Sequence, residues 1–295
     1  MVNFWTYQPS DSVKTIASRA MLTDAGVFTL YATHPSIDDS QTFNAECDRK
    51  EQNTAILGCY TNDRIYIYDI SDKRLDGIKE VTAAHEMLHA VYQRLSPDEK
   101  TKIDKLVEDE YKNLSANPDF AERMAFYART EPGERDNELH SIIGTEVRTI
   151  SPALEAHYAK YFSNRGELLN LYEGYNTVFT KLSEQTKQLA AQLDSEGKKI
   201  QSDSDSYNRA VKQLNADIIS FNQRAASGDF SSQAVFNSQR QQLQQRVASV
   251  SASRTAINTA IERYDSLRQQ YNDTVTQTQD LYKSIDSSLA PAPKV

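Results

Sequence analysis

The chain has 295 residues, a formal net charge of -8 and an isoelectric point near 5.3. That length allows two domains, and the acidic balance with no long basic run removes the clustered Lys and Arg that binding to nucleic acid needs. No stretch reaches the roughly 18 apolar residues that span a bilayer. The start Met1-Val2-Asn3-Phe4-Trp5 lacks the charged and apolar regions of a signal peptide. A membrane anchor or export signal would therefore have to come from a segment outside this sequence.

Residues 1–75 mix short apolar runs with polar loops. Val27-Phe28-Thr29-Leu30-Tyr31 and Ala55-Ile56-Leu57 read as strands. So does Ile65–Ile70, where isoleucines alternate with Tyr and Asp at period two. Cys47 and Cys59 are the two cysteines of the chain, near each other in sequence. The expectation is one disulfide closing a short loop, which places the protein in an extracytoplasmic compartment; two reduced thiols are the alternative.

From about residue 76 the pattern turns helical. Ile78, Val81, Leu88, Val91 and Leu95 share one broad face, predicting a helix over about 77–94. Ser96-Pro97-Asp98-Glu99 is a capping box with Pro at the first helical position and starts the next helix. Further helices are expected from Asn117-Pro118, over 136–149, and from Ser151-Pro152.

Beyond residue 166 Gln, Ser, Asn and Asp dominate, and apolar residues recur in heptads. Leu193, Ile200, Tyr207, Leu214 and Phe221 form one series; Phe236, Leu243, Val250, Ile257, Tyr264 and Tyr271 form another. Ala226-Ser227-Gly228-Asp229 lies between them as a turn. This predicts an antiparallel coiled-coil hairpin in which Phe221 faces Phe236, Leu214 faces Leu243, and Asp203 meets Arg254. The division is then 1–165 for a mixed α+β domain, 166–290 for the hairpin, and 291–295 for a Pro-rich tail read as disordered or as a linker.

His85-Glu86-Met87-Leu88-His89 falls inside the predicted helix 77–94. Two histidines four apart leave one side of a helix and can share a tetrahedral Zn2+, and Glu86 can reach a water held there as general base. A chance match on a helix surface is the competing explanation, and helical placement after a strand disfavours it.

With that motif, the strand at 65–70 and a later acidic helix, the chain resembles the zincin metallopeptidases. The resemblance implies an α+β zincin-like catalytic domain that hydrolyses peptide bonds of a peptide or protein substrate. It also implies an edge strand, here Ile65–Ile70, that binds the substrate backbone. The metzincin pattern needs Gly and His soon after the motif, whereas Ala90-Val91-Tyr92-Gln93-Arg94 follows. The aspzincin pattern needs a nearby Asp, and Asp98 stands beyond the start of a new helix. Asp136-Asn137-Glu138-Leu139-His140-Ser141 is similar to the gluzincin Asn-Glu-x-x-Ser form, which implies Glu138 as third ligand. His140 and Glu146 are its rivals, and Ile142 stands where several gluzincins carry a supporting acid. An oxyanion donor is also implied; His157 and Tyr158 are preferred, with Tyr161 and Tyr127 behind them. The alternative reading is a non-catalytic scaffold whose hairpin binds a protein partner, against which the intact Glu86 speaks.

Overall fold

The computed structural model describes residues 7–48, 55–130 and 132–288; the Pro-rich tail at 291–295 lies outside the described residues. Side-chain caps start most of the early helices. The Ser10 hydroxyl accepts from the Val13 N–H to open α1 (Asp11–Arg19), and Asp39 accepts from Thr42 to open α3 (Ser40–Glu46). Thr23 caps Gly26 in the same way and opens α2 (Asp24–Ala32), so Val27–Tyr31 is helical and not the expected strand. A five-residue apolar run has no period of its own to distinguish the two states, and the cap before it decides.

Three short strands form one sheet: β1 (Ser36–Asp38), β2 (Gly58–Thr61) and β3 (Arg64–Tyr68). Ala55-Ile56-Leu57 leads into β2 without being a strand itself. β2 and β3 are joined by Asn62 and Asp63, both at positive φ (51° and 58°), the two-residue turn whose twist suits an antiparallel hairpin. The order is β1-β3-β2, with β1 parallel to β3, so β3 is the central strand. Its Ile65 and Ile67 are fully buried.

The remaining elements are α4 (Ile78–Arg94), α5 (Pro97–Leu114), α6 (Pro118–Thr130), α7 (Arg135–Glu146), α8 (Pro152–Tyr158), α9 (Arg165–Ser227) and α10 (Gln233–Ile285). The capping box at Ser96 and Glu99 is present in full. α4 is the hub, buried along almost its whole length. Met87, Leu88 and Val91 meet Leu139, Ile142 and Ile143 of α7, Ile103 and Val107 of α5, and Leu154 and Tyr158 of α8 in one apolar core. Arg165 at the start of α9 ties this layer together, donating to the Glu155 carboxylate and to the carbonyls of Val147 (2.7 Å) and Arg148 (3.1 Å).

The chain forms two compact units: Met1–Thr180 with Gln279–Val295, and Lys181–Thr278. The first therefore includes the opening turns of α9 and the end of α10. In the second, Gly228 (φ 71°) follows α9 at the turn into α10. Phe221 and Phe236 meet across the seam with ring centroids 5.2 Å apart, as the heptads predict. Asp203 does not take Arg254 as its ion-pair partner: its carboxylate lies 2.7 Å from Lys199 on its own helix. The pairs that do cross the seam, Arg246 with Asp217 (2.6 Å) and Arg263 with Glu196 (3.3 Å), use arginine arms that reach past the directly opposite position.

Cys47 and Cys59 form a disulfide with Cα atoms 5.9 Å apart, joining the end of α3 to β2. Because it closes a loop between residues 12 apart, opening it is expected to lower stability by about 3 kcal/mol. Urea unfolding with and without reductant, and of the Cys47→Ser/Cys59→Ser variant, checks this; coincident curves would refute it.

Candidate metal centre

His85 and His89 stand one helical turn apart on α4, and Glu138 faces them from the first turn of α7. The Nε2 of His89 lies 3.4 Å from Glu138 Oε1, and that of His85 lies 3.8 Å from Oε2. One ligand atom from each of the three falls within 4.8 Å of the others, and this is the one His/Cys/Asp/Glu group among the described residues that could hold a metal ion. The convergence depends on how closely the two helices cross. At Gly144 of α7 a side-chain carbon would stand 2.5 Å from Leu88 Cδ1 and 2.7 Å from Tyr158 Cε1, so only glycine allows this separation.

Burial sets the protonation state. His85 is held well below the usual histidine range, first by desolvation and then by the charges of His89 and Arg123. A neutral imidazole keeps a lone pair to offer a cation. His89 is also oriented. Its Nδ1 lies 3.0 Å from Asn137 Oδ1 and 3.3 Å from Ser141 Oγ. The amide of Asn137 is itself fixed, since its Nδ2 donates to Glu134 at 2.9 Å. An amide oxygen can only accept, so Nδ1 carries a proton and the ring is held with Nε2 toward Glu138. Ile142 is buried in the core, so the polar contacts to His89 Nδ1 come from Asn137 and Ser141.

The rival ligands are occupied elsewhere. His140 places its Nε2 2.9 Å from that of His157, and Glu146 accepts from Arg123 at 2.5 Å. His157 and Tyr158, expected as oxyanion donors, are not brought to the cluster. Tyr158 is fully buried, and its hydroxyl donates to the His140 carbonyl at 2.7 Å. Both side chains belong to the layer between α7 and α8, whereas the ligands use the α7 face toward α4. Tyr161 lies with them, its ring 5.7 Å from that of His157.

A cleft of about 1060 Å³ opens over the cluster, lined by His85, Glu86, His89 and Glu138 together with Tyr60, Tyr127 and Tyr175. Glu86 is buried, at 7% exposure. Among the described residues β3 is central in the sheet, so the expected Ile65–Ile70 strand has no free edge to offer, and the edge strand along the cleft is β2. Tyr68 N–H donates to Leu57 O at 2.9 Å, and Cys59 lies opposite Tyr66. By antiparallel alternation Gly58 and Tyr60 turn their N–H and C=O groups to the free edge. Neither Arg123 nor Tyr175 carried a sequence signal for this site. Tyr175 comes from the first turns of α9, and only the tertiary fold brings it here.

No family model, no curated protein and no solved structure matches this chain.

Asn137→Ala removes the acceptor that fixes His89 and is expected to weaken divalent-metal binding by about 10- to 100-fold, measured by competition with a chromogenic chelator; unchanged affinity would refute the orienting role. A second expectation concerns pH. Desolvation pulls the His157 pKa down to about 4, so the unfolded chain takes up a proton below about 6.5 that the native state refuses. Stability should be unaffected above that pH and fall as pH drops from about 6.5 through 4, by up to about 3 kcal/mol. Urea midpoints of metal-free wild type and His157→Gln across this range check it, with a shallower dependence expected in the variant.

Proposed function

We propose that this chain is a zinc-dependent peptidase with a gluzincin-like site, in which His85, His89 and Glu138 hold the metal. The observation that carries this reading is a set of two imidazole nitrogens and one carboxylate oxygen, with His89 and Glu138 buried and His85 partly so, converging within 4.8 Å in an open cleft that Glu86 also lines. Two histidines and a glutamate suit zinc by donor type, with a fourth position left for water or substrate. Zinc, when bound there, supplies Lewis acidity toward the scissile carbonyl and acidifies a water.

The remaining work belongs to the chain's own groups. Glu86 takes a proton from the attacking water and delivers it to the leaving amine nitrogen. Tyr127 lines the same cleft; desolvation, and then the Glu138 and Glu146 carboxylates, push its pKa far up. It therefore keeps its proton and can donate to the oxyanion that forms as water adds. The free edge of β2 offers backbone groups at Gly58 and Tyr60 on which an extended peptide can add as a strand. The disulfide supports an extracytoplasmic setting. Val247 and Ile261, exposed on α10 two heptads apart, support a role for the hairpin in holding a protein partner.

Elemental mass spectrometry on purified protein tests the metal assignment directly. About one zinc per chain is expected in wild type, lost in His89→Ala and in Glu138→Ala. Glu86→Gln should keep its zinc and lose hydrolysis of a mixed peptide library by at least about 100-fold. Absence of zinc after reconstitution, or an unimpaired Glu86→Gln protein, would sink this reading.

A further inference from the structure

We infer that Gly58 is the positioning residue for Glu86: the lack of a side chain at this point of β2 sets where the Glu86 carboxylate stands. This rests on the reading of Glu86 as the base of a peptidase site.

A carbon added at Gly58 would lie 2.6 Å from Thr82 Cγ2, 3.0 Å from Glu86 Cγ and 3.1 Å from Glu86 Oε1. The strand therefore touches α4 through bare backbone at the level of Glu86. Neither neighbour on the chain leaves β2 room to retreat. Leu57 accepts the hydrogen bond from Tyr68, and Cys59 is bonded to Cys47 at the end of α3. Thr82 is equally constrained, being β-branched, buried and inside the hub helix. Of the groups in contact, the Glu86 side chain alone has several rotatable bonds between the contact and its helix.

The close approach has a consequence for substrate as well. Gly58 turns its N–H and C=O to the free edge, so a peptide added there runs directly past the Glu86 carboxylate. With a methyl at position 58, the carboxylate must swing away from the place where a water would stand between it and the substrate. At 3.0 and 3.1 Å the Glu86 side chain has to give by a few tenths of an ångström, and since about 1 Å at such a group costs about 100-fold in rate, the expected loss is several-fold. The three atoms an added carbon would meet first belong to Thr82 and Glu86 and not to His85, His89 or Glu138, so metal content should be unaffected.

Gly58→Ala is compared with wild type by crystal structure, zinc content, and kcat and KM on a peptide substrate. Because the Thr82 overlap could prevent folding, the same substitution is also made in a Thr82→Ser background, which removes Cγ2 and leaves the Glu86 contact. The expected result in that background is a melting temperature like that of Thr82→Ser alone, full zinc and a displaced Glu86 carboxylate. The accompanying kcat should be about 3- to 10-fold lower, with KM changed less than about twofold. An unmoved Glu86, a β2 strand that shifts off α4 instead, or a kcat equal to that of Thr82→Ser would each overturn the inference. Should wild type hydrolyse nothing, the peptidase reading fails, while the crystal comparison still decides whether Gly58 places Glu86.

Discussion

The close crossing of α4 and α7 is the constraint on which the rest of the first unit depends. Gly144 lets the α7 backbone approach Leu88 and Tyr158 nearer than any side chain would allow. That distance lets the short arm of Glu138 meet two imidazoles carried by the other helix. The same crossing buries Leu139, Ile142 and Ile143 against Met87 and Leu88, so the apolar contacts and the polar cluster are two faces of one interface. Deepening the core and assembling the ligands are therefore the same step in this fold.

Charge follows from that geometry. Burial keeps His85 neutral, and Asn137 orients the His89 ring through its Nδ1. Glu86 and Glu138 are both buried beside them. Glu146, another carboxylate of the cleft, pairs with Arg123. The proposed zinc would suit this set by its donor types, two imidazole nitrogens and a carboxylate oxygen.

Much of this was legible in the sequence because it is written in local, periodic terms. The heptads mark the long helices, Ser96-Pro97 marks a helix start, and the His85/His89 spacing marks a shared helical side. Asn137-Glu138 could be singled out by likeness to a motif, and the fold does bring Glu138 to the two histidines. What escaped are the features set by contacts between distant segments. Val27–Tyr31 is apolar without period, and its state rests on a cap at Thr23. His157 and Tyr158 follow the ligand helix in sequence, yet the turn into α8 carries them to its opposite face. Asp203 lies in a seam whose facing residue is set by arginine reach and by competition from Lys199, and neither is visible in a heptad count.

The sheet shows the same limit, with a functional consequence. Ile65–Ile70 has the strongest alternation in the first 75 residues because β3 is central and buried, and centrality is what denies it a free edge. The exposed edge falls to β2, four residues with a weak pattern that no propensity would rank first. A short strand of this kind is poorly held by its own ladder. The disulfide at Cys59 supplies what the ladder lacks, fixing β2 to α3 beside the hub helix. The strand along the cleft is thus kept in place by a covalent bond to an element outside it, which leaves its free backbone edge open to a ligand.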